Sequence, residues 1–214
     1  VPTILLLNQF KVEIVRRPSN VKMSPFDRLF FLIANVFWIF VRTLLGGVWA
    51  LSDLILIPDF PLPYTISLGN LAIPKKYQKR VRLIGPIIEV KPNQLPNKDE
   101  IRKKLGFNSN RHLIYAGVSG PRIERRYLAN RLLEILSDSH SGYQIVLSKG
   151  EPAGEAHPKK CGDATVYDWI DDLTQVELLK ACDLLVCRAG HGTITKALTY
   201  GKPLVLIPIP DQTE

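Results

Sequence analysis

Two stretches of the sequence place glycine between an apolar run and a helical pattern. They are "AGVSGPR", residues 116–122, and "CRAGHGTIT", residues 187–195. A helix N-terminus presents unpaired N–H groups and a partial positive charge, and glycine lets a ligand approach the backbone closely. Both stretches are therefore candidates for binding phosphate groups. Tight turns between strands and helices also need glycine, so each stretch alone fits a structural role equally well.

Polar residues near these glycines extend the candidate site. Ser119 and Thr193 either contact an anion or act as helix N-caps. Asp211 and Gln212 follow the next apolar strand, and their acceptors and donors suit a polyol. Two glycine stretches and a polar pair in one small sheet are a stronger indication of a ligand site than either stretch alone.

The elements that must position these residues are predicted from residue 110 onward. Apolar strand patterns alternate there with helical patterns, and the last helix is closed by Gly201. A capping box, Thr174 with Glu177, is predicted to open the helix before it. The alternation predicts an α/β fold with a doubly wound parallel sheet. The carboxyl edge of such a sheet is where open α/β folds bind ligands.

The first part of the chain predicts a second unit of the same kind. "TILLL", residues 3–7, and "DLILIPDFPLP", residues 53–63, have the continuous apolar pattern of strands in a parallel sheet. Asn8 and Gln9 follow the first strand, where they either contact a polar ligand or cap a turn. Residues 85–95 contain prolines and little periodicity, which predicts a linker between domains at 1–84 and 96–214.

An apolar, aromatic segment, residues 29–51, lies between these two strands. Arg42 within it would cost about 2.5–3.5 kcal/mol near the centre of a bilayer. The sequence therefore favours a buried or membrane-surface helix over a true span. Lysines and arginines cluster in "PKKYQKRVRLIGP", residues 74–86. Such a cluster is either a solvated face or a contact with anionic lipid.

Composition and charge limit the classes of partner that the protein is expected to bind. The net charge is +8, which suits an anionic partner. The three cysteines have no CxxC spacing, which argues against a disulfide framework or a zinc site and favours reduced thiols in a cytosolic protein. The basic residues are not interleaved with aromatic residues as in nucleic-acid readers, so no nucleic-acid partner is expected. The chain opens on a strand-like run without methionine, and we interpret it as a fragment.

The segment "RAGHGTITKAL", followed by "YGKPLVLIPIPDQ", resembles the donor-sugar motif of glycosyltransferases with the GT-B fold. It is most similar to the MurG-like group of glycosyltransferase family 28, which adds a sugar to a lipid carrier, and more distantly to UDP-glucuronosyltransferases. The likeness is specific from about residue 116 to the end. It implies two Rossmann-like doubly wound parallel-sheet domains, both incomplete: the second half of an acceptor domain and a truncated nucleotide-sugar domain.

The resemblance also implies roles for single residues. Ile170, in "DWIDDL", corresponds to the backbone group that reads the edge of uracil. Asp211 and Gln212 correspond to the pair that binds hydroxyls of the donor sugar, and Asn8 and Gln9 fall near the acceptor side. The positions that correspond to diphosphate-binding residues are Ser119, Gly190, His191, Gly192 and Thr193.

The roles of two residues, and the identity of the general base, are left open by the resemblance. Lys196 stands where the family has a glutamate that accepts hydrogen bonds from the ribose; an ammonium has no acceptor, so Lys196 reaches a phosphate or faces solvent. His191 contacts a phosphate, serves as an acid or fills space between two glycines. The general base of the family lies in a glycine-rich loop expected before Val1, so no catalytic residue is assigned here.

The expected activity is that of a hexosyltransferase. It would transfer a hexose or N-acetylhexosamine, with inversion, from a nucleoside diphosphate sugar to a lipid-linked or polyprenyl-linked acceptor. No metal and no cofactor are expected, and the expected location is the cytoplasmic face of an anionic membrane. Two alternatives remain at this point: a non-hydrolysing UDP-sugar 2-epimerase, and a non-catalytic membrane-associated partner of a separate catalytic subunit.

Overall fold

The computed structural model describes residues 2–7, 24–67, 73–137, 142–152, 154 and 157–208. The chain divides into two compact units. The first comprises Val1–Ile87 and Pro210–Glu214, and the second comprises Ile88–Ile209. The boundary at residues 87 and 88 falls within the predicted linker.

The first unit contains a three-stranded parallel sheet. Its strands are β1 (Ile4–Leu6), β2 (Leu54–Ile57) and β3 (Val81–Leu83), in the order β1-β2-β3. The two strands predicted from the sequence are therefore confirmed, although both are shorter than the apolar runs that predicted them. Ile55 and Ile57 of β2 are fully buried and form the centre of the core of this unit.

A long helix, α1 (Pro25–Leu51), lies between β1 and β2 in the chain. Its described apolar side chains are exposed to solvent, with Phe30 at 61%, Phe37 at 63% and Phe40 at 62%, whereas Trp49 near its end is 6% exposed. Among the described residues nothing buries the rest of this helix, so the expectation of a helix inside a protein core is wrong for them. Residues Arg28–Leu51 have the length and composition of a membrane-crossing helix, with a mean hydropathy of 2.0.

The basic segment after β2 holds the C-terminal end of α1. The Tyr77 hydroxyl donates to the Gly46 carbonyl at 3.0 Å, and its ring packs edge-on against Trp49. Arg80 Nη1 donates to the carbonyls of Ala50 and Ser52, both at 3.1 Å. The bond to Ala50 satisfies a carbonyl group that the helix end leaves without an intrahelical partner.

The second unit is a six-stranded sheet in the order β6-β7-β5-β4-β8-β9. All neighbours pair in parallel except β6 and β7, which are antiparallel. The strands are β4 (Leu113–Gly117), β5 (Gln144–Ser148), β6 (Lys159–Cys161), β7 (Ala164–Tyr167), β8 (Leu184–Cys187) and β9 (Leu204–Leu206). The helices are α2 (Lys98–Lys104), α3 (Arg122–Ser137), α4 (Asp172–Ala181) and α5 (His191–Thr199).

Helices cover both faces of this sheet, as expected for a doubly wound fold. Leu113 and Tyr115 of β4 belong to the core cluster that contains residues of α2, α4 and α5. Ala116 of the same strand belongs to the opposite cluster, with Ala129 of α3. Successive strand residues point to opposite faces, so β4 contributes to both cores. The prediction of an α/β fold with parallel doubly wound sheets is confirmed.

The start of α4 differs from the prediction. Asp171, not Thr174, is its N-cap, because the Asp171 carboxylate accepts from the Thr174 N–H at 2.9 Å. The Thr174 hydroxyl also donates to that carboxylate at 2.6 Å. These hydrogen bonds lower the pKa of Asp171. Two adjacent aspartates precede Thr174, and the sequence pattern did not show which of the three residues starts the helix.

Candidate functional site

The two glycine stretches meet at the centre of the second sheet. Gly117, at the end of β4, is the register partner of Cys187, at the end of β8. The strand order β7-β5-β4-β8-β9 runs outward in both directions from β4 and β8, and the helices that follow these two strands pack on opposite faces. A crevice opens at such a switch point, outside the carboxyl ends of the strands. The structure therefore brings the two predicted loops together at the ligand-binding edge.

The N-terminus of α5 is open. Gly190 is its N-cap, with φ −70°, and no side chain caps the helix there. A Cβ placed on Gly192 would meet no atom within 4 Å. Neither glycine is thus required by backbone conformation or by a neighbouring group in the described chain, and their small size leaves room beside the helix N-terminus. Thr193 is the third residue of the helix, which makes the N-cap alternative for this residue wrong.

In the loop after β4, unlike at the start of α5, the backbone conformation itself favours glycine. Gly120 has a φ of 107°, a conformation that favours glycine. Ser119 before it is exposed, whereas Val118 is buried and its N–H donates to the Ser148 carbonyl at 3.0 Å. Because α3 begins at Arg122, Ser119 stands too early to be its N-cap. Its hydroxyl group is left at the carboxyl edge, where a ligand can reach it.

A third glycine, which the sequence analysis did not identify, supports this loop from behind. Gly150 follows β5 with a φ of +66°, and a Cβ there would overlap the carbonyl oxygen of Val118. The position of Ser119 thus depends on the absence of a side chain at residue 150. The sequence "VLSKG" carries a signal for this contact, since it ends a strand with glycine at the same edge.

Gly150→Ala is expected to destabilise the protein more than Gly106→Ala does. Both residues have positive φ, +66° and +77°, but only Gly150 has the Val118 carbonyl in the path of the new methyl group. The shared conformational cost is about 1–2 kcal/mol, and the overlap adds about 1–3 kcal/mol at Gly150. Thermal unfolding of the two variants measures the difference. Equal losses of stability would mean that the loop after β4 does not rest on Gly150.

Ion pairs tie the loops of this edge together. Arg188, after β8, is buried at 4% exposure, and its Nη2 donates to Glu124 Oε2 of α3 at 2.7 Å. In the described part of the chain its Nε has no hydrogen-bond partner. Lys149 Nζ, after β5, lies 2.9 Å from Asp168 Oδ1, after β7. These contacts link the loops after β8 and β5 to their neighbours and leave cationic groups at the edge predicted to bind an anion.

Ile170 lies in the loop between β7 and α4, and its side chain is buried at 6% exposure. Among the described residues, neither its N–H nor its C=O forms a hydrogen bond to another backbone group. A donor and an acceptor on one backbone unit match the edge of a pyrimidine base. This geometry is compatible with the role that the resemblance implies for Ile170.

Lys196 points toward α4. Its Nζ donates to Gln175 Oε1 at 3.3 Å, and Gln175 also hydrogen-bonds the hydroxyl of Tyr115. Burial raises the pKa of Tyr115, so this hydroxyl stays protonated at neutral pH. The ammonium of α5 thus lies against α4, the helix that follows the loop containing Ile170. The sequence analysis did not identify Gln175, because an amide on a helix surface carries no distinctive pattern.

The remaining predicted residues are placed as follows. His191 is the first residue of α5 and is half-buried, and its carbonyl accepts from the Thr195 hydroxyl at 2.7 Å. Asn8, Gln9, Asp211 and Gln212 lie outside the described residues. Since β9 pairs in parallel with β8, it runs toward the same edge of the sheet as the loop at Arg188. Within the described residues, no cluster of histidine, cysteine and acidic side chains could hold a metal ion.

Comparison with known proteins relates the region that contains this site to a protein family. Residues 124–214 match the glycosyltransferase family 28 C-terminal domain. The matched region is similar to that domain and contains Ile170 and the start of α5. The resemblance to GT-B glycosyltransferases of the MurG-like group is therefore confirmed.

Curated relatives agree with the family 28 match. An uncharacterized glycosyltransferase from Methanopyrus kandleri is 25% identical over 81% of this chain and 46% of its own length. A UDP-N-acetylglucosamine–N-acetylmuramyl-(pentapeptide) pyrophosphoryl-undecaprenol N-acetylglucosamine transferase from Thermus thermophilus is 31% identical over 70% of this chain and 42% of its own length. The chain thus spans about half the length of the relatives it matches.

Solved structures share the fold. The glycotransferase of kitacinnamycin aligns with a TM-score of 0.51 at 19% identity, over 76% of this chain and 38% of its own. The calicheamicin glycosyltransferase CalG4 aligns with a TM-score of 0.50 at 13% identity, over 96% of this chain and 50% of its own. At these identities the likeness concerns the GT-B fold alone.

Proposed function

We propose that the full-length protein is a glycosyltransferase that moves a hexose or N-acetylhexosamine from a nucleoside diphosphate sugar, a UDP-sugar, to a lipid-linked acceptor. The observation that carries the proposal is the pairing of the two glycine loops at the switch point, with the uncapped N-terminus of α5 beside them. A helix N-terminus stabilises a diphosphate through its N–H groups and its dipole. The family 28 match supports the same class of reaction.

The donor would occupy the carboxyl edge of the second sheet. The diphosphate would bind at the start of α5, residues 190–193, and at Ser119. The nucleobase would meet the backbone of Ile170, and the ribose would lie near Lys196. Asp211 and Gln212 would bind hydroxyl groups of the sugar. The loops after β7, β4, β8 and β9, four parallel strands of one sheet, would then hold one extended ligand.

The proposed chemistry is inverting. The acceptor hydroxyl attacks the anomeric carbon, a new carbon–oxygen bond forms, and the bond from that carbon to the diphosphate breaks. The acceptor proton passes to a general base, a role for which no residue of this sequence is assigned. The N-terminus of α5 stabilises the charge that develops on the leaving diphosphate. In this proposal neither a metal ion nor a cofactor takes part.

Two observations support a lipid-linked acceptor at the cytoplasmic face of a membrane. The name of the Thermus thermophilus relative describes an undecaprenol-linked acceptor. The described part of α1 exposes a row of aromatic and aliphatic side chains next to a basic segment. If the full-length protein fails to bind anionic liposomes at low salt, the membrane part of the proposal is wrong.

Acceptor-dependent release of UDP tests the function. The full-length protein is incubated with UDP-sugars, with and without polyprenyl-linked sugar acceptors, and free UDP and glycosylated lipid are measured. Transfer predicts UDP release only when acceptor is present, together with a glycosylated lipid. Reversible inversion at C2 of the sugar without acceptor would instead show an epimerase. Donor binding without either reaction would favour a non-catalytic partner subunit.

Lys196→Glu is expected to weaken UDP binding more than ~10-fold. In this proposal the Lys196 ammonium reaches from beside the ribose to the diphosphate. The change would remove that charge-assisted hydrogen bond, worth about 1.5–3 kcal/mol, and add a negative charge close to the diphosphate. Thermal-shift titration of the full-length protein with UDP measures the effect. Lys196→Met is the control that removes the ammonium without adding charge, and it should weaken binding less. Unchanged UDP affinity in both variants would show that Lys196 faces away from the nucleotide.

A further inference from the structure

The apolar helix α1 either spans a membrane or lies on its surface, and the sheet on either side of it in the chain distinguishes these two arrangements. A helix of 27 residues is about 40 Å long, enough to cross a bilayer. Apart from Trp49 and the half-buried Val41, its large apolar side chains that are described are exposed, as they would be in a span or in a helix lying on a membrane. Length and hydropathy do not separate these two arrangements.

Both ends of the segment that contains α1 lie in the same sheet. β1 pairs with β2 in parallel, with Ile4 opposite Leu54. The Asp53 N–H donates to the Thr3 carbonyl at 2.9 Å, and the Thr3 N–H donates to the Asp53 carboxylate at 2.7 Å. The chain therefore leaves the sheet after β1 and returns to it at β2. An unbroken sheet lies on one side of a membrane, so the segment between them must cross a bilayer an even number of times or not at all.

The stretch between β1 and α1 is unsuited to a second crossing. Residues 8–23 number sixteen, fewer than the roughly 20 apolar residues that a spanning helix needs. They include five charged side chains, Lys11, Glu13, Arg16, Arg17 and Lys22. An extended chain long enough to cross would leave its backbone groups without hydrogen-bond partners in the hydrocarbon. Since one crossing is excluded by the sheet and two by this stretch, α1 does not span.

We propose that α1 lies in the plane of an anionic membrane, embedded in a single leaflet. We infer that the membrane is anionic from the charge beside the helix. The exposed Lys75 and Lys79 belong to the segment that holds the C-terminal end of α1. The first unit is thereby fixed at the membrane surface from one side. This inference does not depend on the chemistry at the donor site.

Depth measurements along one stripe of α1 test the arrangement. Phe30, Phe37 and Leu44 are seven residues apart and share a helix face, and all three are exposed. Each is replaced by cysteine in a Cys161→Ser background of the full-length protein, labelled with a nitroxide and bound to vesicles of phosphatidylcholine and phosphatidylglycerol. An in-plane helix predicts similar depths of about 5–10 Å for the three labels. A span predicts a central label far deeper than the outer two.

Charge reversal tests the choice of an anionic surface. The double change Lys75→Glu and Lys79→Glu spares Lys76, which lies over the Tyr77 ring. Each lysine near such a surface contributes about 1 kcal/mol, so binding to the mixed vesicles should fall at least ~30-fold. Binding to phosphatidylcholine vesicles, which the wild-type protein should bind more weakly, should change little. The glycosyl-transfer assay with a detergent-solubilised acceptor keeps a failure of this inference distinct from a failure of the proposed function.

Three results would overturn the proposal. The first is a central label that lies deepest, with the outer labels near opposite surfaces. The second is a set of labels shielded from both lipid and water, with a dimer in solution, since a second copy of the chain would then cover the helix. The third is vesicle binding that does not respond to phosphatidylglycerol or to the lysine changes.

Discussion

Gly192→Asp is expected to abolish donor binding while leaving the second unit folded. The residue is exposed in the first turn of α5, and a side chain there would meet no protein atom within 4 Å. A carboxylate in this position interacts favourably with the helix dipole, by about 0.3–1 kcal/mol. It would also lie close to the proposed diphosphate. At roughly 5 Å and an effective dielectric constant of about 20, the repulsion is about 3 kcal/mol per phosphate charge.

The expected result is therefore unusual, because stability and activity move in opposite directions. UDP affinity and kcat/KM should fall more than ~100-fold, whereas the unfolding temperature stays the same or rises. Leu198→Asp is the matched control, since Leu198 is exposed near the other end of the same helix. Its carboxylate opposes the dipole, so this variant should lose stability and keep donor binding. A Gly192→Asp enzyme with normal UDP affinity would remove the diphosphate from the N-terminus of α5.

Arg102→Met is expected to cause the largest loss of stability in the second unit, about 3–5 kcal/mol. Arg102 on α2 is 2% exposed. Its guanidinium donates to the Asp183 carboxylate at 2.6 Å and to the Ala181 carbonyl at 3.0 Å. It also donates to the carbonyls of Ser109 and Arg111, both at 3.1 Å. The substitution leaves these acceptors without their donor and releases α2 from the start of β8.

Lys103→Met provides the control for Arg102→Met, because Lys103 is exposed on the same helix. It should leave stability nearly unchanged. Hydrogen exchange of the α2 amides gives a local measurement that does not depend on two-state unfolding of a multidomain protein. If exchange in α2 is the same in Arg102→Met as in the wild type, the buried guanidinium does not anchor this helix.

The same network predicts a response to acid. Burial alone would raise the pKa of Asp183, but hydrogen bonds from Lys98, the Leu113 N–H and Arg102 outweigh it and hold this pKa well below its usual range. A carboxylate with a depressed pKa contributes stability above its unfolded pKa, about 3.9, and loses it as pH falls toward the folded value. The difference in unfolding temperature between wild type and Asp183→Asn should thus be large at neutral pH and shrink below about pH 4.

The sequence predicted the parts of the fold that depend on local patterns. Alternating apolar strands and helices were sufficient for the doubly wound sheet, and glycine after two strands located the loops at Gly117 and Cys187. Short polar elements were not predicted. β6 is "KKC" and pairs only at the sheet edge, and α2 is held by the buried Arg102, which looks like any other charged residue in the sequence.

The site was predictable where it depends on backbone and less so where it depends on contacts. The N-terminus of α5 followed from a strand, two glycines and a helix. The pairing of Arg188 with Glu124 joins residues 64 positions apart, and the contact of Gly150 with Val118 joins two loops. No local pattern contains such partners. The roles of Asn8, Gln9, Asp211 and Gln212 remain predictions from the family resemblance.

Calorimetric titration of the full-length protein with a nucleoside, its monophosphate and its diphosphate tests the central claim most directly. A panel of UDP, GDP and TDP first selects the base. We predict that affinity rises steeply from the monophosphate to the diphosphate in the wild-type protein, and that Gly192→Asp removes this rise while retaining the weak binding of the nucleoside. Equal affinities for monophosphate and diphosphate, or the same rise in Gly192→Asp, would contradict a diphosphate site at the N-terminus of α5.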